Sequence, residues 1–181
     1  MTAVLLVGML VLILVNAFFV AAEFALVRAR RSRLEQLGEG DSRARLALDE
    51  VGEICEYLSA CQLGVTFASI GIGFLGEPAI AQLIHPWLGG ALSHGLALAI
   101  SLIVAYVLTT ALHITIGEQV PKIFAISRAE RMARAVARPL YWFTRRSVRS
   151  SPSSTGHPTR SSGCFVSIPR SHSRREARRR T

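Results

Sequence analysis

Charge is what this sequence lacks over most of its length. Residues 3–22, "AVLLVGMLVLILVNAFFVAA", carry no Asp, Glu, Lys or Arg, and neither do Tyr57–Gly76 or residues 95–117. Lys and Arg are missing altogether between residues 57 and 117. Half the residues are hydrophobic, 18% are charged and the mean hydropathy is +0.37, a balance that excludes an ordinary soluble domain. An uncharged run of about 20 residues is long enough to cross a hydrocarbon core of ~30 Å. A cleaved leader fits the first run poorly, because no basic segment precedes it and it outlasts a typical leader core.

Other absences narrow the function. There are three cysteines, Cys55, Cys61 and Cys164, without metal-ligand spacing. Cys55 and Cys61 lie nearly opposite on a helix, so they read as reduced, small apolar residues rather than a zinc site or a bridge. No phosphate-cradling glycine loop, nucleophile–base pair or zinc-protease signature is present, so an enzyme finds no support. Acid is almost absent from residues 147–181, which hold 8 of the 21 basic residues and 1 of the 12 acids. The first 146 residues are therefore only about +2, and the basic total does not argue for nucleic-acid binding. The tail 147–181 is Ser/Arg-rich and aperiodic and reads as disordered. It begins where "PLYWFT" points to more apolar chain, so a frameshift or altered gene end near residue 146 is expected ahead of a functional tail. If the tail is native, anionic lipid is its expected partner.

What is present organises three spans. Arg28, Arg30, Arg31 and Arg33 follow the first run. Lys122, Arg128, Arg131, Arg134 and Arg138 follow the third. The positive-inside rule then predicts an external N-terminus and a cytoplasmic C-terminus in the plasma (inner) membrane. Residues 34–56 read as a polar connector with short helices and a turn at Gly38–Gly40. The stretch "GEPAIAQLIHPWLGGALSHG" reads as a short external or interfacial loop with Trp87 at the headgroups. The segment "ISRAERMARAVARPLYWFTRR" reads as an amphipathic helix at the inner interface, where its arginines can pair with anionic lipid or acidic groups.

Polar residues inside the spans are the candidates for chemistry. Ser59, Gln62, Thr66 and Ser69 recur at spacings of three and four and draw one polar stripe on a helix. Helix–helix hydrogen bonding accounts for such a stripe as readily as a ligand does. Glu23 closes the first run and Glu118 the third, and an acid at that depth points to function or to an interfacial ion pair. Pro121 cannot donate to residue 117, so the Gly117 carbonyl is expected free at a helix break. A free carbonyl, a carboxylate and neighbouring hydroxyls are hard oxygen donors, suited to Mg²⁺ or Na⁺. His113 lies four residues before Gly117, and a hydrogen bond within the bundle is its expected role over proton sensing.

Three segments together resemble one family. "NAFFVAAEFALVRARRSRLEQL", "EYLSACQLGVTFASIGIGFLGEPAIA" and "GEQVPKIFAI" are similar to the transmembrane domain of the CorC/CNNM, or hemolysin-related, family, across roughly residues 4–146. The resemblance implies an all-α membrane domain, residues 1–146, with three transmembrane helices and a juxtamembrane helical region, assembled as a homodimer. It implies transport or efflux of Mg²⁺, with Co²⁺ a further candidate, coupled to Na⁺. It assigns the cation site to Thr66, Ser69, Gly117 and Glu118, with Pro121 and Lys122 completing the turn. Glu23 and Gln62 are additional candidates. Many members carry a serine where this chain reads "VAAE", so Ala21 and Ala22 supply no side-chain oxygen. The paired cytosolic CBS domains of the family are not found in this sequence, so nucleotide binding is not expected. The competing expectation is a non-transporting membrane anchor or interaction module whose polar stripe serves packing alone.

Overall fold

The computed structural model describes residues 1–88 and 93–149. The tail expected to be disordered, 147–181, lies almost wholly outside them. Among the described residues every regular element is helical. The elements are α1 (Thr2–Arg28), α2 (Arg31–Gly38), α3 (Ser42–Gly52), α4 (Ile54–Leu88), α5 (His94–Leu112), a π-helical turn (His113–Gln119), α6 (Val120–Ser127) and α7 (Ala129–Arg149).

Three stretches are long and apolar enough to cross a bilayer: Thr2–Arg28, Ile54–Trp87 and His94–Ser127. Helix α1 shows why. Its inner face buries Met9, Ile13, Asn16 and Phe19, at helical spacing. Its outer face is apolar too, with Val4, Val7, Leu10 and Leu14 exposed. A helix apolar on all sides is stable where lipid replaces water. At 1.5 Å per residue it extends about 40 Å.

Helix α4 packs between α1 and α5. Glycines let the backbones approach. A Cβ added to Gly64 would lie 2.5 Å from the Phe19 ring, and one on Gly76 would lie 2.6 Å from Thr109 Cγ2. The expected loop over residues 76–95 is instead mostly helix, because α4 continues to Leu88 through Pro78 and Pro86. Proline is tolerated in such helices where neighbours compensate for the lost bond.

The connector folds as foreseen into a helical hairpin, α2 and α3. Asp41 caps α3, its Oδ1 accepting from Arg43 N at 2.8 Å. Leu34, Ala44 and Ala47 are fully buried. Helix α7 lies across α1 and α3. It buries Ala129, Ala133, Val136, Ala137 and Leu140 and exposes Arg131, Arg138, Trp142 and Arg145. The Phe143 ring packs 4.7 Å from Phe19 and ties α7 to the wall of the first span. Cys61 is a buried free thiol, as expected.

Candidate functional site

The third span does not break at Pro121. It widens first. His113–Gln119 form a π-helical turn in which Val120 N–H bonds to Thr115 O, and the chain then runs on directly into α6. Single π-turns of this kind recur at functional sites, because the extra residue re-aims the backbone. Pro121 falls in the first turn of α6, where a proline is least disruptive. The backbone group thought to be free is also engaged. Gly117 is buried, and its carbonyl accepts from Asn16 Nδ2 at 3.1 Å.

Asn16 is the centre of the arrangement. Its side chain is fully buried in α1. Its Oδ1 accepts from Ser69 Oγ on α4 at 3.4 Å. The Ser69 hydroxyl also lies 3.3 Å from His113 Nε2. A hydroxyl has one proton, so if Ser69 donates to Asn16 it accepts from a protonated Nε2. His113 Nε2 in turn lies 3.6 Å from Glu118 Oε1. One polar chain thus joins all three spans, from the Gly117 carbonyl through Asn16, Ser69 and His113 to the Glu118 carboxylate.

The sequence candidates fall into two groups. Ser69, Gly117 and Glu118 belong to this chain of contacts. Thr66 lies one turn before Ser69, but its hydroxyl donates to the Gln62 carbonyl at 2.8 Å within α4. Gln62 is exposed, and its part among the candidates is to offer its backbone carbonyl to Thr66. Glu23 is half-buried within electrostatic range of Lys122, whose Nζ sits over the Phe24 ring at 4.6 Å. Pro121 and Lys122 therefore shape the exit of the span rather than joining the polar chain. Asn16 and the bonding role of Ser69 with it were missed from sequence. The signal was there: Asn16 is the single side-chain amide in an otherwise apolar run of residues 3–22.

The donor set is oxygen-rich and carries one full negative charge, on Glu118. No group of three or more His, Cys, Asp and Glu side chains gathers among the described residues, so a thiolate or imidazole cage is not built there. Hydroxyl, carbonyl and carboxylate oxygens match a hard cation. The Glu118 side chain is 40% exposed, against 17% for His113, so the carboxylate is the accessible end of the chain.

Gly117 also has a steric role. A Cβ there would meet His113 Cδ2 at 3.0 Å and Asn16 Nδ2 at 3.2 Å. Gly117→Ala is expected to push Asn16 off the carbonyl and leave a buried polar group unpaired, a cost of about 1–3 kcal/mol. Thermal unfolding of purified protein in detergent measures this. An unchanged midpoint would show that the Asn16 contact is dispensable.

Comparison with known proteins agrees with the architecture. Residues 7–146 match the model of the CNNM family, the cyclin M transmembrane N-terminal domain. The match ends where the composition of the chain changes. The chain is 50% identical over 139 residues to the UPF0053 protein YhdT of Bacillus subtilis (strain 168), covering 74% of this chain and 29% of the relative. It is 48% identical over 141 residues to YhdP of the same organism, covering 75% and 31%. It is 42% identical over 142 residues to the protein Rv1841c of Mycobacterium tuberculosis (strain ATCC 25618 / H37Rv), covering 75% and 39%. The matched region thus spans about a third of the length of these relatives. With three bilayer-length helices and a family match over most of its length, this chain is a multi-pass membrane protein and belongs to the CNNM transmembrane domain family.

Proposed function

We propose that this chain is the membrane domain of a divalent-cation transporter, with Mg²⁺ as cargo, Co²⁺ as a further candidate and Na⁺ as the coupling ion. The observation that carries this reading is the polar chain joining α1, α4 and the π-turn around Gly117. In such a site Glu118 supplies the charge that draws the cation. Ser69 and the Gly117 carbonyl supply neutral oxygens, and Thr66 is a further hydroxyl one turn away. Asn16 acts by position: its amide holds the Gly117 carbonyl and its oxygen holds the Ser69 hydroxyl. Mg²⁺ sheds water reluctantly, so several close oxygens are needed to take its place. Because the donors come from α4 and the π-turn and are held by Asn16 of α1, small shifts among the three spans would assemble or scatter them, which suits alternating access.

The same reading places the chain in the plasma membrane as a homodimer. It puts the N-terminus outside and the arginine-rich ends of the first and third spans in the cytoplasm.

The test is Glu118→Gln, with Mg²⁺ binding followed by calorimetry in detergent. Replacing the one full charge by an isosteric amide is expected to weaken binding at least roughly tenfold, about 1.4 kcal/mol. Unchanged affinity would remove Glu118 from the site.

A second reading has its own support. Both ends of the Asn16 amide are already satisfied within the protein. This is also what a polar contact serving only helix association would show. A non-transporting anchor predicts no Mg²⁺-dependent rise in unfolding temperature, whereas a cation site predicts one by linkage.

A further inference from the structure

The arginines after the first span and those after the third are about 100 residues apart in sequence, and the fold brings them together. Helices α2 and α7 flank a cleft of about 380 Å³ lined, among the described residues, by Arg33, Leu37, Glu130, Arg131 and Arg134. Three guanidinium groups line it against one carboxylate. Their existing partners are few. Among the described residues Arg33 Nη1 reaches only the neutral Gln36 Oε1, at 3.4 Å. Arg131 makes no ion pair among the described residues. Arg134 Nε lies 3.3 Å from Asp41 Oδ2, yet this buried nitrogen has no well-directed hydrogen bond. Arg31, the neighbour that does not line the cleft, is by contrast paired with Glu35 at 3.1 Å.

We propose that Arg33, Arg131 and Arg134 form a binding site for a phosphate-type anion, filled by the headgroup of an anionic phospholipid. Guanidinium forks match phosphate oxygens in charge and in planar two-point geometry. Like charges gathered in one cleft repel, and an anion between them removes that repulsion. The place of the cleft selects the source. Arg33 lies five residues beyond the end of α1, and Arg131 lies four beyond Ser127, the end of the third candidate span. The cleft is therefore at the ends of two spans, where headgroups lie, and Leu37 gives it an apolar side. Glu130 repels an anion from its own end of the cleft, so the phosphate belongs on the arginine side. The site does not depend on the cation reading, because none of its residues belongs to the Gly117 network.

The experiment uses the full chain, delipidated in a neutral detergent, with thermal unfolding as readout. The probes are dihexanoyl-phosphatidylglycerol, dihexanoyl-phosphatidylcholine and inorganic phosphate. Phosphatidylglycerol is expected to raise the unfolding midpoint saturably, and phosphatidylcholine is not. The double variant Arg33→Gln/Arg131→Gln should weaken the phosphatidylglycerol response at least fivefold. Both side chains are exposed, so the variant should fold. Arg138→Gln, on the same helix but outside the cleft, should respond as the parent does. An equal response to phosphatidylcholine, or an undiminished one in the double variant, overturns the site. Saturation by inorganic phosphate at the same concentration as the lipid overturns the headgroup as its source.

Discussion

Glu50→Gln is expected to remove the fall in stability that Glu50 contributes as pH rises from about 4.5 to about 8. Glu50 lies on α3, outside the spans, and is 0% exposed. Neither carboxylate oxygen has a hydrogen-bond partner among the described residues. Burial, reinforced by the negative charge of Asp49, pushes its pKa from 4.5 up to about 8. The folded protein then holds a proton that the unfolded chain releases. The contribution is fully present below the unfolded pKa of 4.5 and is lost as pH rises through 8. Within that window the slope approaches about 1.4 kcal/mol per pH unit. An amide cannot ionise, so the Gln variant should have a shallower slope across the window and be more stable than the parent at pH 8. Unfolding at pH 5 and pH 8 in the same detergent decides it. An identical slope in the two proteins would assign the dependence to other groups. The physical origin is simple: a carboxylate without donors in an apolar setting is far costlier than the neutral acid.

Gly64→Ala is the second large effect. The new methyl group would lie 2.5 Å from two carbons of the Phe19 ring. That ring cannot swing aside. It is buried, edge-on to Phe18 at 5.2 Å and tilted against Phe143 at 4.7 Å. Relief must come from separating α1 and α4, and overpacking of this kind costs about 1–3 kcal/mol. The consequence reaches the site. Asn16 is one turn from Phe19, and the Asn16–Ser69 contact is already 3.4 Å long. Widening the α1–α4 seam should break that contact and weaken any Mg²⁺-dependent stabilisation along with the fold. Gly73→Ala is the control, because its Cβ would meet nothing within 4 Å. A Gly64→Ala protein as stable as the Gly73→Ala protein would show that the seam yields without cost.

Much of the membrane architecture was legible because it depends on one-dimensional facts. A run of about 20 residues without charge has few places to go besides lipid. Basic residues beyond its ends need no partner to be read. Ser69, Gly117 and Glu118 could be singled out by type alone, since a hydroxyl, a glycine or an acid at that depth calls for a reason. The turn at Gly38–Gly40 is equally local.

What the sequence left open was every question of which group faces which. Pro121 reads as a break, but the π-turn before it takes up the mismatch, and neighbouring helices keep the chain continuous. Pro78 and Pro86 read as loop and stand inside α4. Asn16 shows nothing of its role until α1 and the π-turn are in contact, because its partners are 53 and 101 residues away. Arg33 and Arg131 share a cleft only because α2 and α7 pack against the same helix, α3. Hydropathy and charge act residue by residue and so determined the spans and their basic ends. Hydrogen bonds and close packing act between residues distant in the chain, so only the tertiary structure decided the polar network, the π-turn and the arginine cleft.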